Sequence, residues 1–201
     1  EKLNASVNIS HHDKDEKLMQ GISDFLSARG FNEIMSNSLT NISYYEKSEI
    51  FPPENIVTLR NPGSNELGIM RANLVFSGME AIERNINHKN PHIKFYEFGK
   101  TYFKKGERDN QEPINNYSEK QHLGIWISGD FTKQSWNRAK TESNFYHLKT
   151  IIHLICEKLG IKPDIFKVKE IKDKLFDYGL ELSLKKTSVV KLGLVSKNIN
   201  D

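Results

Sequence analysis

The chain has 201 residues, of which 37% are hydrophobic and 27% are charged, with a formal net charge of +3. This composition is that of an ordinary globular protein, and the length suffices to bury a hydrophobic core. The chain has 29 basic and 26 acidic residues. This near balance excludes nucleic-acid binding that depends on net charge alone. No apolar run approaches the roughly 20 residues that span a bilayer, so we expect no membrane partner.

A single cysteine excludes an internal disulfide and suits a reducing, cytoplasmic location. It is Cys156, within the apolar run IIHLIC, which predicts a buried core thiol rather than a nucleophile. No signal peptide is recognised at the start. The first and last residues, Glu1 and Asp201, lie in polar sequence, and we expect both ends to be cut from a longer polypeptide.

The start of the chain divides into a linker and a helix. Residues 1–13 are polar and aperiodic, which predicts a linker leading into one core domain over 14–201. Between Lys14 and Arg29 the apolar residues recur at helical spacing. Asp13 is the predicted N-cap, and Gly30 supplies the C-terminal stop.

The remaining pattern predicts strands and two more helices. Helices are predicted over 74–88 and 145–159; strands over 31–41, 56–59, 93–103, 122–128, 165–170, 178–184 and 189–195; and a charged loop over 105–120. The last two strands are expected to form a hairpin. Strands and helices do not alternate regularly, so the predicted class is α+β, an antiparallel sheet flanked by helices.

Few motifs carry chemistry, and no catalytic residue is predicted. Neither a GxxxxGK[ST] loop nor a GxGxxG turn is present. His88 and His92 are four residues apart, but Pro91 breaks the helix that a zinc pair would need, so no metal site is predicted. The lysines Lys100 and Lys104, with aromatic residues between them, are typical of an RNA-contacting strand and equally of a sheet with one solvated face.

Several sequence blocks together resemble one family. They are NPGSNEL at 61–67, MRANL at 70–74, FYEFGKTYF at 95–103, and Trp136 followed by NFYHLK at 144–149. In this order they resemble the catalytic-like module in the beta subunit of bacterial phenylalanyl-tRNA synthetase, over roughly residues 14–195. The resemblance implies a fold like that of the class II aminoacyl-tRNA synthetase core.

The resemblance also implies that this module is not catalytic. Catalytic class II synthetases hold ATP with an arginine and an acidic residue on motif 2. If Gly99 is aligned with the glycine of that motif, Phe103 stands in place of the arginine and Lys105 in place of the acid. A phenyl ring cannot stabilise the charge that develops on the phosphate during adenylation. No motif 3 follows within the chain.

The role that the resemblance implies is a noncatalytic core segment of the beta subunit of phenylalanine–tRNA ligase. Such a segment supports the alpha subunit, a second beta subunit completes a heterotetramer, and the holoenzyme uses ATP and magnesium, neither of which this segment binds. Met19, Phe25 and Leu26 are the expected subunit-interface residues, and Lys100, Lys104 and Lys105 the expected contacts to tRNA(Phe). Two alternatives stay open: an active adenylate-forming enzyme with a diverged ATP site, and a free-standing RNA-binding module.

Overall fold

The computed structural model describes residues 14–48, 51–105 and 112–197. The helices in these ranges are α1 (Lys14–Ser27), α2 (Ser43–Ser48), α3 (Val75–Asn87) and α4 (Phe145–Lys158). The strands are β1 (Asn32–Glu33), β2 (Leu39–Thr40), β3 (Ile69–Met70), β4 (Ile93–Lys104), β5 (Tyr117–Ser128), β6 (Asp130–Thr132), β7 (Thr141–Glu142), β8 (Lys167–Ile171), β9 (Phe176–Leu184) and β10 (Thr187–Val195). The predicted linker over 1–13 and its N-cap Asp13 lie outside the described residues.

Two three-stranded sheets form the framework. The first has the order β1-β4-β5, in which β4 and β5 are antiparallel from Ile93↔Ser128 to Lys104↔Tyr117 and β1 runs parallel to β4. The second has the order β10-β9-β8 and is antiparallel throughout. The predicted hairpin between the last two strands is present, with Lys185 in its turn at φ 57°. The predicted α+β class is confirmed.

Helix α1 covers one face of the first sheet. Its apolar stripe places Ile22 and Leu26 in a core with Phe31, Tyr96 and residues of α4. Gly30 follows the helix at φ 82°, a left-handed conformation that glycine adopts without strain. The helix therefore ends at the predicted stop and turns the chain into β1.

Helix α4 joins the two sheets. Ile151 and Ile155 pack in the α1 core, while Ile152 and Cys156 pack on the second sheet. Burial raises the pKa of the Cys156 thiol, so Cys156 is the core residue that the sequence predicts. Asn144 is the N-cap of the helix, and its side chain accepts a hydrogen bond from the backbone N–H of His147 in a capping box.

Three sequence predictions need correction. The strand predicted over 31–41 is only β1 and β2, because Ser36 between them leaves the ladder and bonds Glu97 instead. The segment predicted as a strand over 56–59 forms only an isolated bridge, from Thr58 to Ile69. Only residues 57–59 run beside residues 68–70, which is too short a contact for a strand. The loop predicted over 105–120 gives way to β5 from Tyr117, because β4 continues to Lys104 and pairs with it.

Candidate functional site

The strand pair β4–β5 presents two faces, and one of them carries Gly99 and Phe103, which the resemblance aligns with motif 2. Side chains alternate along each strand, so this Gly99 face consists of Phe95, Glu97, Gly99, Thr101 and Phe103 with their β5 partners Trp126, Gly124, His122, Lys120 and Ser118. The opposite Lys100 face carries Tyr96 and Phe98 under α1 and then Lys100 and Lys104. A class II catalyst would need charged groups on the Gly99 face.

A buried ion pair occupies the middle of the Gly99 face. Arg71 Nη1 lies 2.7 Å from Glu97 Oε1, and their side chains are 4% and 2% exposed. Arg71 also donates through Nε to the Lys100 carbonyl at 2.9 Å and through Nη1 to Ser36 Oγ at 2.8 Å. The Ser36 hydroxyl and N–H both donate to Glu97. The charge of this guanidinium is therefore balanced inside the fold.

Gly99 lets the guanidinium lie across the strand. A Cβ at this position would collide with Arg71 Nη2 and lie 2.8 Å from Leu74 Cδ2. The close approach needs a residue without a side chain. Gly99 therefore makes room for an internal arginine.

Trp126 fills the same face further along. Its ring lies against Gly78 of α3 on one side and over Gly124 of its own strand, and a Cβ on either glycine would overlap the indole. Trp126 is 8% exposed and packs with Leu74 and Phe95. Helix α3 thus closes this part of the Gly99 face with apolar contacts.

Phe103 and Lys105, the two motif-2 positions, lie in different surroundings. The Phe103 ring is 5.9 Å from that of Phe51, which in turn is 5.7 Å from Tyr45. Phe103 thus belongs to an aromatic cluster. Lys105 is exposed just beyond β4, and its backbone N–H donates to the Asn116 carbonyl at 2.7 Å.

The lysines expected to contact tRNA are only partly brought together. Lys100 and Lys104 share one face of β4, and Lys105 follows the strand end. Lys100 Nζ lies 2.7 Å from Glu119 Oε1, and this hydrogen bond raises the pKa of Lys100. The acidic neighbour reduces the local positive charge that the sequence cluster suggests.

The three residues expected at a subunit interface differ in their exposure. Leu26 is 0% exposed inside the chain's own core, so its prediction as an interface residue is wrong: the helical stripe points it at the sheet. Phe25 is half-buried with the Arg29 guanidinium 3.6 Å from its ring centre. Met19 lines an open groove of about 610 Å³ whose floor includes Tyr96 and Phe98. The groove itself was not predicted.

His92 Nδ1 accepts from the Asp130 N–H at 2.9 Å. Within 14–48, 51–105 and 112–197, no group of three His, Cys, Asp or Glu side chains is placed to hold a metal ion. None of the helices in those ranges has the length and apolar character required to cross a membrane.

Sequence reasoning missed the Arg71–Glu97–Ser36 unit. The available signal was Glu97 itself, a carboxylate in the middle of the apolar run FYEF. A buried carboxylate needs a charged or hydrogen-bonding partner. The identity of that partner, 26 residues earlier in the chain, could not be read from local pattern.

Comparison with solved structures defines the class of fold. Pyrrolysyl-tRNA synthetase from Desulfitobacterium hafniense superposes with a TM-score of 0.64 at 14% identity, covering 92% of this chain and 60% of that one. A second structure of the enzyme from this organism, PylSc, gives 0.60 at 13% identity, covering 92% and 57%. The fold is that of the class II aminoacyl-tRNA synthetases.

Comparison of sequences defines the family. The family model for the phenylalanyl tRNA synthetase beta chain CLM domain matches residues 2–201, and the chain belongs to this family. The phenylalanine–tRNA ligase beta subunit of Bacteroides fragilis is 36% identical over 189 residues, 93% of this chain and 23% of that protein. That of Bacteroides thetaiotaomicron is 36% identical over 200 residues, 98% and 24%. The chain therefore spans about a quarter of the length of these relatives.

Proposed function

We propose that this chain is a noncatalytic core segment of the beta subunit of a phenylalanine–tRNA ligase. It supports the alpha subunit, which carries out the ATP- and magnesium-dependent attachment of phenylalanine to tRNA(Phe) in the cytoplasm. Membership of the beta chain CLM domain family supports the subunit assignment. The internally filled Gly99 face supports the absence of catalysis.

The observation that carries the noncatalytic role is the balanced charge on the Gly99 face. A class II site needs a guanidinium free to meet a phosphate. Arg71 is already paired with Glu97 at 2.7 Å and almost fully buried, and Phe103 contributes a phenyl ring to an aromatic cluster. These residues do not fit ATP, and we place neither ATP nor magnesium in this segment.

The partners follow from the surfaces that remain open. We assign Met19 and Phe25, on α1, to the contact with the alpha subunit or a second beta subunit, because both side chains stay partly exposed while Ile22 and Leu26 of the same helix are buried. Lys104 and Lys105 extend beyond the paired Lys100 and remain candidates for tRNA(Phe). Both alternatives, an active adenylate-forming enzyme and a free-standing RNA module, receive no support from the family match.

Co-purification tests the assembly role. The full-length beta subunit containing this chain is co-expressed with its alpha subunit, and the mass of the complex is measured by light scattering. We expect a heterotetramer for the native sequence and weaker assembly for Met19→Arg, since a cation would then enter an apolar contact. Val168→Arg, on an exposed apolar residue of β8 (58% exposed), is the matched control and should assemble normally. Failure of the native pair to associate would remove the proposal.

A further inference from the structure

The most exposed large aromatic side chain among the described residues lies at the tip of the β6–β7 hairpin. Trp136 is 96% exposed. A bridge between Ser135 and Arg138, with N–H···O distances of 3.0 and 3.3 Å, closes a tight turn with Trp136 and Asn137 at its centre. All residues from 133 to 142 are exposed. Among the described residues none covers the indole, so its apolar surface is open to a partner.

The base of the hairpin is firmly attached. Phe131 stacks on His147 of α4 at a centroid distance of 4.0 Å, and Lys94 Nζ lies 3.9 Å from the Phe131 ring centre. The Ser143 N–H donates to the Gly129 carbonyl at 2.9 Å. Three residues, 133–135, separate Thr132 from Trp136, a span of at most roughly 13 Å for an extended chain. Trp136 is therefore held away from the body of the domain by an anchored arm.

The tip is positively charged. Residues 131–140 (FTKQSWNRAK) contain Lys133, Arg138 and Lys140 and no carboxylate. Lys140 Nζ reaches Asp130 at 3.8 Å, whereas no carboxylate in the described part of the chain lies within ion-pair distance of Lys133 or Arg138. Lys133 and Lys140 lie next to the Thr132↔Thr141 pair, on the side of the tip, so both arms of the hairpin carry a cation there.

We propose that the hairpin tip binds RNA: Trp136 stacks on an unpaired base, and Lys133 and Arg138 hold the flanking phosphates. An aromatic ring for the base and cations for the backbone are the two components of single-strand recognition. A protein partner fits less well, because protein hot spots sit within a ring of further packing residues, and the neighbours here are Ser135 and Asn137. This proposal rests on the proposed function, because that function makes tRNA(Phe) the RNA that would be bound. The contact lies on the β6–β7 hairpin and not on β4, which leads to Lys104 and Lys105.

Binding of tRNA(Phe) by the complete enzyme tests the proposal. In the assembled alpha–beta complex, Trp136→Ala and Trp136→Leu should each weaken tRNA binding at least fivefold, since stacking on an aromatic ring is worth about 1–3 kcal/mol per base. Trp136→Phe should retain most of the affinity because it keeps a π face. Lys133→Ala with Arg138→Ala should also flatten the salt dependence of binding. Met35→Ala, at a 94% exposed apolar residue, should bind as the native enzyme does.

The alternative outcomes are distinct. Equal tRNA affinity for the native enzyme, Trp136→Ala and Trp136→Leu would overturn the proposal, as would full affinity for Trp136→Leu alone. If all variants assemble with the alpha subunit as the native sequence does, the proposed function is retained whether or not tRNA binding changes. If Trp136→Ala instead prevents assembly, the tip is a protein contact and the RNA proposal is wrong.

Tryptophan fluorescence gives a second, direct readout. Trp126, the other tryptophan of this chain, is 8% exposed and is poorly reached by acrylamide. The part of the quenching that is present in the native complex and absent in Trp136→Phe therefore reports on the tip. We expect the tip indole to be quenched by acrylamide in the RNA-free complex and shielded after tRNA is added. An indole already shielded in the RNA-free complex would contradict the proposal.

Discussion

At the scale of single residues, the buried pair of Arg71 and Glu97 sets the character of the Gly99 face. Substituting Glu97→Gln leaves the guanidinium inside without its counter-charge. We expect the free energy of unfolding to fall by about 3–5 kcal/mol, measured by urea denaturation. Glu119→Gln, which breaks the exposed pair with Lys100, is the control and should leave the urea midpoint unchanged. Equal effects of the two substitutions would show that the buried pair is not what stabilises this face.

Tyr44 provides a prediction in pH. Burial, with a hydrogen bond of 2.7 Å to Glu80 adding to it, raises the pKa of Tyr44 to about 12. The folded state thus holds the phenolic proton more tightly than the unfolded chain, whose tyrosines titrate near 10. The stabilisation is complete below that value and is lost as the pH rises from about 10 towards 12.

The measurement is urea denaturation at several pH values between 9 and 11. We expect the native chain to lose more unfolding free energy over this range than Tyr44→Phe, which has no proton to release at this position. Tyr45, whose pKa is also raised by burial, is common to both proteins and cancels in the difference. Parallel pH profiles for the two proteins would mean that the Tyr44 hydroxyl titrates normally.

At the scale of elements, two helix glycines should respond in opposite directions to the same change. A Cβ on Gly78 of α3 would overlap the Trp126 ring, whereas a Cβ on Gly21 of α1 would lie 3.9 Å from Lys158 Cε. Gly78→Ala is therefore expected to destabilise by about 1–3 kcal/mol through overpacking. Gly21→Ala should stabilise by up to about 1 kcal/mol, because alanine favours the helix. Thermal melting of both variants checks the sign, and a stabilised Gly78→Ala would show that the indole can move aside.

How far the sequence predicts these elements depends on the range of the interactions that form them. Helical periodicity predicts α1, α3 and α4, and it is a local signal. The alternation of residues after Pro91 predicts strand β4, and it is local as well. The segment 31–41 alternates like a strand, yet only β1 pairs with β4, because Ser36 bonds a carboxylate 61 residues away. The extension of β5 to Tyr117 depends likewise on pairing with β4.

The candidate site shows the same division. The positions of Phe103 and Lys105 relative to Gly99 could be read from spacing within one strand. The residue that occupies the space above Gly99 could not, because Arg71 arrives from a separate element. The resemblance, and not the helical stripe, predicts Leu26 at an interface, and the structure shows that Leu26 belongs to the chain's own core.

At the scale of the whole molecule, the synthetase fold is retained while one sheet face is closed from within. Helix α4 joins two sheets through separate cores. Arg71 and Trp126 cover the Gly99 face, whereas α1, the end of β4 and the β6–β7 hairpin carry the side chains that we propose to meet partners. This arrangement suits a subunit that holds other components in place.

The most direct test of the noncatalytic role is phenylalanine-dependent exchange between ATP and pyrophosphate. The full-length beta subunit is assayed alone, both with its native sequence and as Phe103→Leu, and the alpha–beta complex of each is assayed in parallel. The account predicts exchange by both complexes at similar rates and none by the beta subunit alone. Exchange by the beta subunit alone, lost on Phe103→Leu, would show that this face binds ATP and would contradict the account.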